Sequence, residues 1–429
     1  MEYNRIKVLM LGWEFPPILT GGLGPACYGL AKALAPFTDL KIILPKSDLH
    51  FKMKRVNIIG LNHFHFDEAT DEMVLDDFRR FLSEEWIDEA QPQHAELRIP
   101  YADNEVPGTE THDLFNQQDS YGPDIMRKVK AYVGMVQQLS GKIDFDVIHA
   151  HDWVTFPAAV ELKKNSGKPL LVHIHSLETD RAHSDARNPV YHIEHQGMLK
   201  ADRVLPVSAY TKSTIISHYG ISAEKIFPVY NAIENTDIYR AERKDNEKKI
   251  LFLGRITRQK GPEFLLETMI KLCSKAGDVK FIIAGNGDQA EWLRDKVAAA
   301  GLQEQVEFTG FIKRDKITAL LAEADAYFMP SVSEPFGLSA LEAAQFNVPC
   351  VISKQSGVSE VLHNVLKADC WDTDKFANYL YAVCHYNGLR ETMVQLTAND
   401  VKNISWDNAA REVLKSYKHL VEEKKEETA

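Results

Sequence analysis

Two carboxylates and two cations, each pair held at short spacing in a strand-to-helix turn, are the side chains here best placed to do chemistry. Glu334 and Glu342 are separated by seven residues in Ser331-Val-Ser-Glu-Pro-Phe-Gly-Leu-Ser-Ala-Leu-Glu-Ala-Ala. A sugar or ribose needs acceptors for its hydroxyls, and two carboxylates at the mouth of one loop supply them. The same pair also fits acidic residues near the positive end of a helix, so the neighbours have to decide. In Gly254-Arg-Ile-Thr-Arg-Gln-Lys-Gly-Pro, Arg255 and Lys260 stand five apart across a turn. Arginine offers a planar fork to phosphate oxygens and lysine a mobile point charge. Such a pair would stabilise the charge that develops on a departing diphosphate. Nothing distinguishes Arg258 from a solvated surface charge.

The histidines pose a second question. His149 and His151, like His173 and His175, are two apart and share one face of an extended strand. With Asp152 beside them this spacing admits a zinc site, but no cysteine accompanies them. Polar groups at strand ends facing a cleft fit recognition of sugar hydroxyls better. Gly21 and Gly22, in Thr20-Gly-Gly-Leu-Gly-Pro, let backbone amides approach a phosphate at a helix start. They come too late after the first strand, and in the wrong spacing, for a dinucleotide-binding fingerprint. Ala284-Gly-Asn-Gly-Asp and Ser356-Gly-Val-Ser-Glu are further glycine tips at strand ends, a setting in which structural turns are common.

These residues need a scaffold of strands ending at one edge. Short apolar runs supply it: Ile6–Leu11, Leu40–Leu44, Val56–Leu61, then the strands leading into His149-Ala-His-Asp and His173-Ile-His, then Arg203–Ser208 and Lys225–Asn231. A helix is expected over Ala209–Tyr219. A second series follows at Ile250, Val279, Val306, Ala326–Met329 and Pro349–Ser353. Strands alternating with helices indicate doubly wound α/β domains, whose ligands bind at the carboxyl ends of the strands. The expected division is a first domain over 1–234, a polar linker at 235–248, a second domain over 249–405 and a terminal amphipathic helix in 406–429.

The net charge of −11 is uneven: residues 67–119 hold 16 acidic residues against 3 arginines, leaving the rest near neutral. Residues 62–122 therefore read as an acidic insertion, with a short helical patch at Met73–Trp86. An acidic chain with no basic face argues against nucleic-acid partners. No apolar run approaches the roughly 20 residues of a membrane span. Five cysteines without a Cys-x-x-Cys pair suit reduced thiols in a cytoplasm.

Together, His149-Ala-His-Asp-Trp, Gly254-Arg-Ile-Thr-Arg-Gln-Lys-Gly and Glu334-Pro-Phe-Gly-Leu-Ser-Ala-Leu-Glu resemble the retaining GT-B glycosyltransferases of family 4, with features of the glycogen and starch synthases. The resemblance covers nearly the whole chain outside about 62–122. It implies two Rossmann-like domains facing a cleft, the nucleotide sugar on the second and the acceptor on the first, with the last helix crossing back to the first domain. It implies that Arg255 and Lys260 hold the donor diphosphate and that Gly21, Gly22 and Leu23 approach it from the other domain. Glu342 would hold the ribose, and Glu334 would work at the transferred sugar beside the amides of Phe336, Gly337 and Leu338. His175 would stabilise the reacting sugar, with Asp152 near donor and acceptor. The implied activity is transfer of glucose from ADP- or UDP-glucose to an α-1,4-glucan, without a metal or other cofactor. The alternative is a family 4 enzyme acting on another polysaccharide, a lipid-linked glycan or a small sugar. Two positions depart from the pattern. Leu19 stands where the synthases carry a lysine, and the segment after Glu360 lacks a glycine-rich turn.

Overall fold

The computed structural model describes residues 5–19, 21–64, 115, 121–122, 124–182, 187–234 and 247–428. The acidic insertion, including Met73–Trp86, and the linker at 235–246 lie outside the described residues apart from their edges.

Two six-stranded sheets, all of whose ladders are parallel, form the body. The first contains β1 (Ile6–Leu11), β2 (Thr38–Leu44), β3 (Val56–Gly60), β4 (Val147–His151), β5 (Leu170–Ile174) and β6 (Arg203–Pro206), in the order β3-β2-β1-β4-β5-β6. The second contains β7 (Lys248–Leu253), β8 (Val279–Ala284), β9 (Val306–Gly310), β10 (Ala326–Met329), β11 (Cys350–Ser353) and β12 (Leu366–Ala368), in the order β12-β11-β10-β7-β8-β9. Each sheet reverses direction of growth once, between β1 and β4 and between β7 and β10. A crevice opens at such a reversal, outside the carboxyl ends of the strands.

The central strands are apolar runs because both their faces are covered; every residue of β4, β5, β10 and β11 is buried. One face of the first sheet packs Tyr132, Val136 and Leu139 of the helix Ile125–Ser140 with Phe156 and Leu162 of Phe156–Ser166. The other packs Leu30 and Leu34 of Leu23–Leu34 together with Val413, Tyr417 and Leu420 of Trp406–Thr428. The chain therefore closes on its own first sheet. Trp406 lies so close over Gly29 that a Cβ there would fall 2.2 Å from its ring. In the second sheet, Leu265 and Met269 face Phe376 and Leu380 on one side, while Leu341 and Ala344 fill the other.

One segment differs from the sequence expectations, and three helices and a short strand are not named in them. Lys225–Asn231 is not a strand: Lys225 ends a 3-10 turn, and the segment after it runs beside β6, where Phe227 and Val229 donate to Val204 and Pro206 at 2.9 and 2.8 Å. Pro228 between them has no N–H with which to extend the sheet. The helix Ile125–Ser140 follows directly on the acidic segment, where apolar periodicity is lost. The helices Thr373–His385 and Asn387–Lys402, with the three-residue β12, complete the second domain.

Candidate active site

On the second domain, tight backbone contacts bring the expected residues together. Gly261 has a φ of +68°, and a Cβ there would fall 2.3 Å from the Pro330 carbonyl, so the turn Arg258–Lys260 lies against the end of β10. Val332 N donates to Gln259 O at 2.9 Å, tying the two loops. Lys260 Nζ reaches Glu334 Oε2 in an ion pair, and Ser331 Oγ donates to the same oxygen at 3.4 Å. Glu334 itself is bridged to the loop after β11: its N–H meets Gln355 O and its carbonyl accepts from Gly357, both at 2.9 Å.

Gly337, at a φ of +108°, turns the chain into the helix Leu338–Gln345, a conformation that costs glycine little. The Phe336 ring is buried and its carbonyl accepts from Val358 N at 2.6 Å. Glu342 lies one turn along that helix, its carboxylate bound by Arg314 at the start of Arg314–Glu323. Arg314 escaped the sequence reading because it lies outside any glycine turn. Arg255 is exposed at the end of β7, and among the described residues no hydrogen bond or ion pair holds its guanidinium. The two cations thus differ: Lys260 is already neutralised by Glu334, whereas Arg255 is available.

On the first domain, β4 and β5 run side by side with His151 opposite His173. Asp152, at a φ of +57°, ends β4 in the left-handed region, a strain that neighbouring contacts must hold. Its Oδ1 accepts from His175 N at 2.7 Å and Ser176 N at 3.4 Å. Burial pushes its carboxyl up to about 7, against the pull of those amides and Arg181. Burial also lowers His175 to about 3, so its imidazole is neutral. His175 Nε2 faces His151 Nδ1 at 3.0 Å. Behind them His149 contacts His173 at 3.3 Å and, through Nδ1, the Tyr417 hydroxyl at 2.6 Å. Sequence spacing recorded these four as two pairs; the parallel pairing of β4 and β5 makes them one column.

Gly21 N donates to the buried Glu14 at 3.1 Å. A Cβ on Gly22 would lie 3.7 Å from Leu338 Cδ1, so this loop meets the second domain's helix across the cleft. Leu23 begins the helix that follows. Cys27, on the same helix, shares a ligand-capable group with His151 and His175, their donor atoms all within 4.8 Å. The premise that no cysteine accompanies the histidines is therefore corrected. The helix Leu23–Leu34, packed on the first sheet, brings one in, which linear spacing cannot show.

Sequence reading also missed the contacts that join the domains. Ser333 Oγ donates to Asp180, and the Tyr210 hydroxyl is 3.0 Å from Ser333 Oγ. Ser208 Oγ donates to Pro335 O at 2.7 Å. Glu360 accepts from the N–H groups of Ala209 and Tyr210, at 2.9 and 2.6 Å, and from the Tyr230 hydroxyl at 2.8 Å. Serines and a lone glutamate carry no signal until the partner domain is in place.

The carboxylate-flanked cation turn of the second domain and the His–Asp edge of the first are brought to one interface by the Ser333–Asp180 and Gly22–Leu338 contacts. The starch synthase catalytic domain model matches residues 7–229, and the glycosyl transferases group 1 model matches 234–397. An uncharacterized glycosyltransferase of Methanocaldococcus jannaschii is 29% identical, with 97% of this chain and 99% of that protein covered. A glycogen synthase of Mycobacterium tuberculosis is 26% identical over 84% of this chain and 80% of its own length. The catalytic domain of starch synthase IV from Arabidopsis thaliana, solved with ADP and acarbose, has a TM-score of 0.72 at 15% identity, covering 98% of this chain and 100% of that one. Sucrose-phosphate synthase from Thermosynechococcus elongatus gives 0.70 at 17% identity, with 97% and 99% covered. At these identities the two structures speak for the fold. With the first match alone spanning more than half of the 429 residues, the chain belongs to the GT-B glycosyltransferases of the glycogen and starch synthase type.

Proposed function

We propose that this enzyme moves glucose from a nucleotide-glucose donor, ADP- or UDP-glucose, to an α-1,4-glucan with retention of anomeric configuration. The observation that supports the reading is that cross-domain contacts of Ser333 with Asp180 and Gly22 with Leu338 join the loops carrying Lys260, Glu334 and Glu342 to those carrying His175 and Asp152. In this reading Arg255 and Lys260 bind the diphosphate and stabilise its charge as the glycosidic bond breaks. Glu342 accepts from the ribose hydroxyls, exchanging Arg314 for them. Glu334 accepts from the sugar while Lys260 turns to phosphate. The amides of Phe336, Gly337 and Leu338, at the start of their helix, face the donor, and Gly21, Gly22 and Leu23 close over it. The acceptor hydroxyl attacks on the face the diphosphate leaves, and a phosphate oxygen takes its proton. Neutral His175 hydrogen-bonds the reacting sugar, beside Asp152. Five free thiols suit a reducing cytoplasm.

The test is a donor-by-acceptor screen read as released nucleoside diphosphate, with the product's anomeric configuration determined by NMR. Release of ADP or UDP only when glucan is present, with an α-linked product, is expected. Turnover with a lipid-linked or small-sugar acceptor but none with glucan would overturn the acceptor assignment.

A further inference from the structure

The floor of the cleft holds two groups that sugar transfer leaves unused, Cys27 and His151, beside the His175 that it uses. Cys27 is fully buried on the helix Leu23–Leu34 and faces the ends of β4 and β5. Its sulfur and one nitrogen each of His151 and His175 lie within 4.8 Å of one another. His151 Nδ1 and His175 Nε2 are 3.0 Å apart, close to the ~3.3 Å edge made by two nitrogens bound to one tetrahedral zinc at about 2.05 Å. The other nitrogens, His151 Nε2 and His175 Nδ1, are buried without a hydrogen-bond partner among the described residues. Glu14 and Asp152 are near enough to act electrostatically on the Cys27 thiol, which burial, then these carboxylates, push well above its usual range. A cluster of one sulfur and two neutral imidazole donors with two carboxyl groups nearby suits a thiolate-accepting dication.

A second combination, His149, His151 and His173, is also close. Its His149 is committed on both nitrogens, to Tyr417 and to His173, and all three are closed off from solvent. His175 is only half-buried, so the set containing Cys27 is the one a cation can reach from the cleft.

We propose that Cys27, His151 and His175 form a reversible site for a thiolate-accepting divalent cation of the zinc class, and that its occupation withdraws His175 from the sugar. Both imidazoles bind neutral. The proton between His151 Nδ1 and His175 Nε2 moves to an outer ring nitrogen, and the thiol proton is released, one per metal bound. Three protein ligands leave a fourth position for solvent, as in exchangeable rather than structural zinc sites. Binding stands independently of the transferase reading; only the inhibition rests on it.

The test uses the full chain stripped with chelator and titrated with cobalt(II), then with zinc in competition. One equivalent of cobalt is expected to give a thiolate-to-cobalt charge-transfer band in the near ultraviolet and the strong visible bands of tetrahedral coordination. Cys27→Ala should abolish the thiolate band and weaken zinc by at least about 100-fold, the upper end of what loss of even an outer-shell partner costs. Cys27→Ser serves the same purpose should alanine leave a destabilising gap. Equimolar zinc should inhibit nucleotide release by the wild type and spare Cys27→Ala, whose metal-free rate is unchanged. Absence of a thiolate band in the wild type, or its persistence in both variants, overturns the site. Absence of turnover with every donor overturns the transferase reading, while the cobalt spectrum still decides the site.

Discussion

At the scale of single residues, Lys260 and Glu334 neutralise one another, and donor binding has to exchange that pair for contacts to phosphate and sugar. A contact that strengthens as the diphosphate leaves acts on kcat more than on KM. Lys260→Ala should therefore lower kcat by about 10²–10³, the range for loss of one preorganised charge-stabilising donor, with donor KM changing much less. Initial rates of nucleotide release across donor concentrations check this, and an unchanged kcat would remove Lys260 from the reacting centre. Asp152 supplies a pH prediction. Its carboxyl titrates near 7 in the folded protein while His175, near 3, stays neutral throughout the working range. The rate profile of chelator-treated enzyme should show one inflection close to pH 7 that Asp152→Asn removes, whichever protonation state of Asp152 is the active one. A profile of the same shape in the variant would assign that inflection elsewhere.

Among the elements, the two loops that follow β10 and β11 do double duty: they present Glu334 and Gly337 to the cleft and grip the first domain. Glu360 supplies the clearest contact, since its carboxylate receives the first free N–H groups of the helix Ala209–Tyr219 together with Tyr230. These donors lie at the positive end of that helix, and each is left without its acceptor in Glu360→Ala. That variant should lose about 2 kcal/mol of stability, seen as a lower urea midpoint. Glu360→Gln keeps an acceptor and should recover part of it. No change in midpoint for Glu360→Ala would mean that solvent satisfies these groups equally well.

Across the whole molecule, the buried column His149–His151–His173–His175 links the cleft to the terminal helix through Tyr417. Burial holds all four imidazoles below their usual range. With a depressed folded pKa, each contributes stability that is complete above the unfolded value near 6.5 and is lost progressively as the pH falls below it. The slope is about 1.4 kcal/mol per pH unit for each imidazole. Asp152 works in the opposite sense, because its folded pKa lies above its unfolded one. Comparing variants isolates one histidine. In chelator-treated His173→Phe, the loss of stability between pH 7.5 and 5 should be about 2 kcal/mol smaller than in the wild type. Denaturant titrations at the two pH values measure it, and equal losses would show that His173 takes up its proton in the folded protein.

What the sequence determined by itself was local: runs of apolar residues of strand length, all but one of which are strands, glycines at their ends, and the three motifs that carry the family. The doubly wound fold and the placement of Glu334 and Lys260 in turns after strands, with Glu342 one turn into the helix that follows, come from these, because a strand buried on both faces has no polar alternation to hide it and a turn beside it must open at the sheet edge. Only tertiary structure decided the rest. The fusion of two histidine pairs into one column depends on the register of β4 against β5. Cys27 joins it because the helix Leu23–Leu34 that carries it packs on the first sheet. Arg314, Ser333 and Glu360 gain meaning from partners on other elements or the other domain. Side chains far apart in sequence meet only where packing brings them, and their chemistry is a property of that meeting.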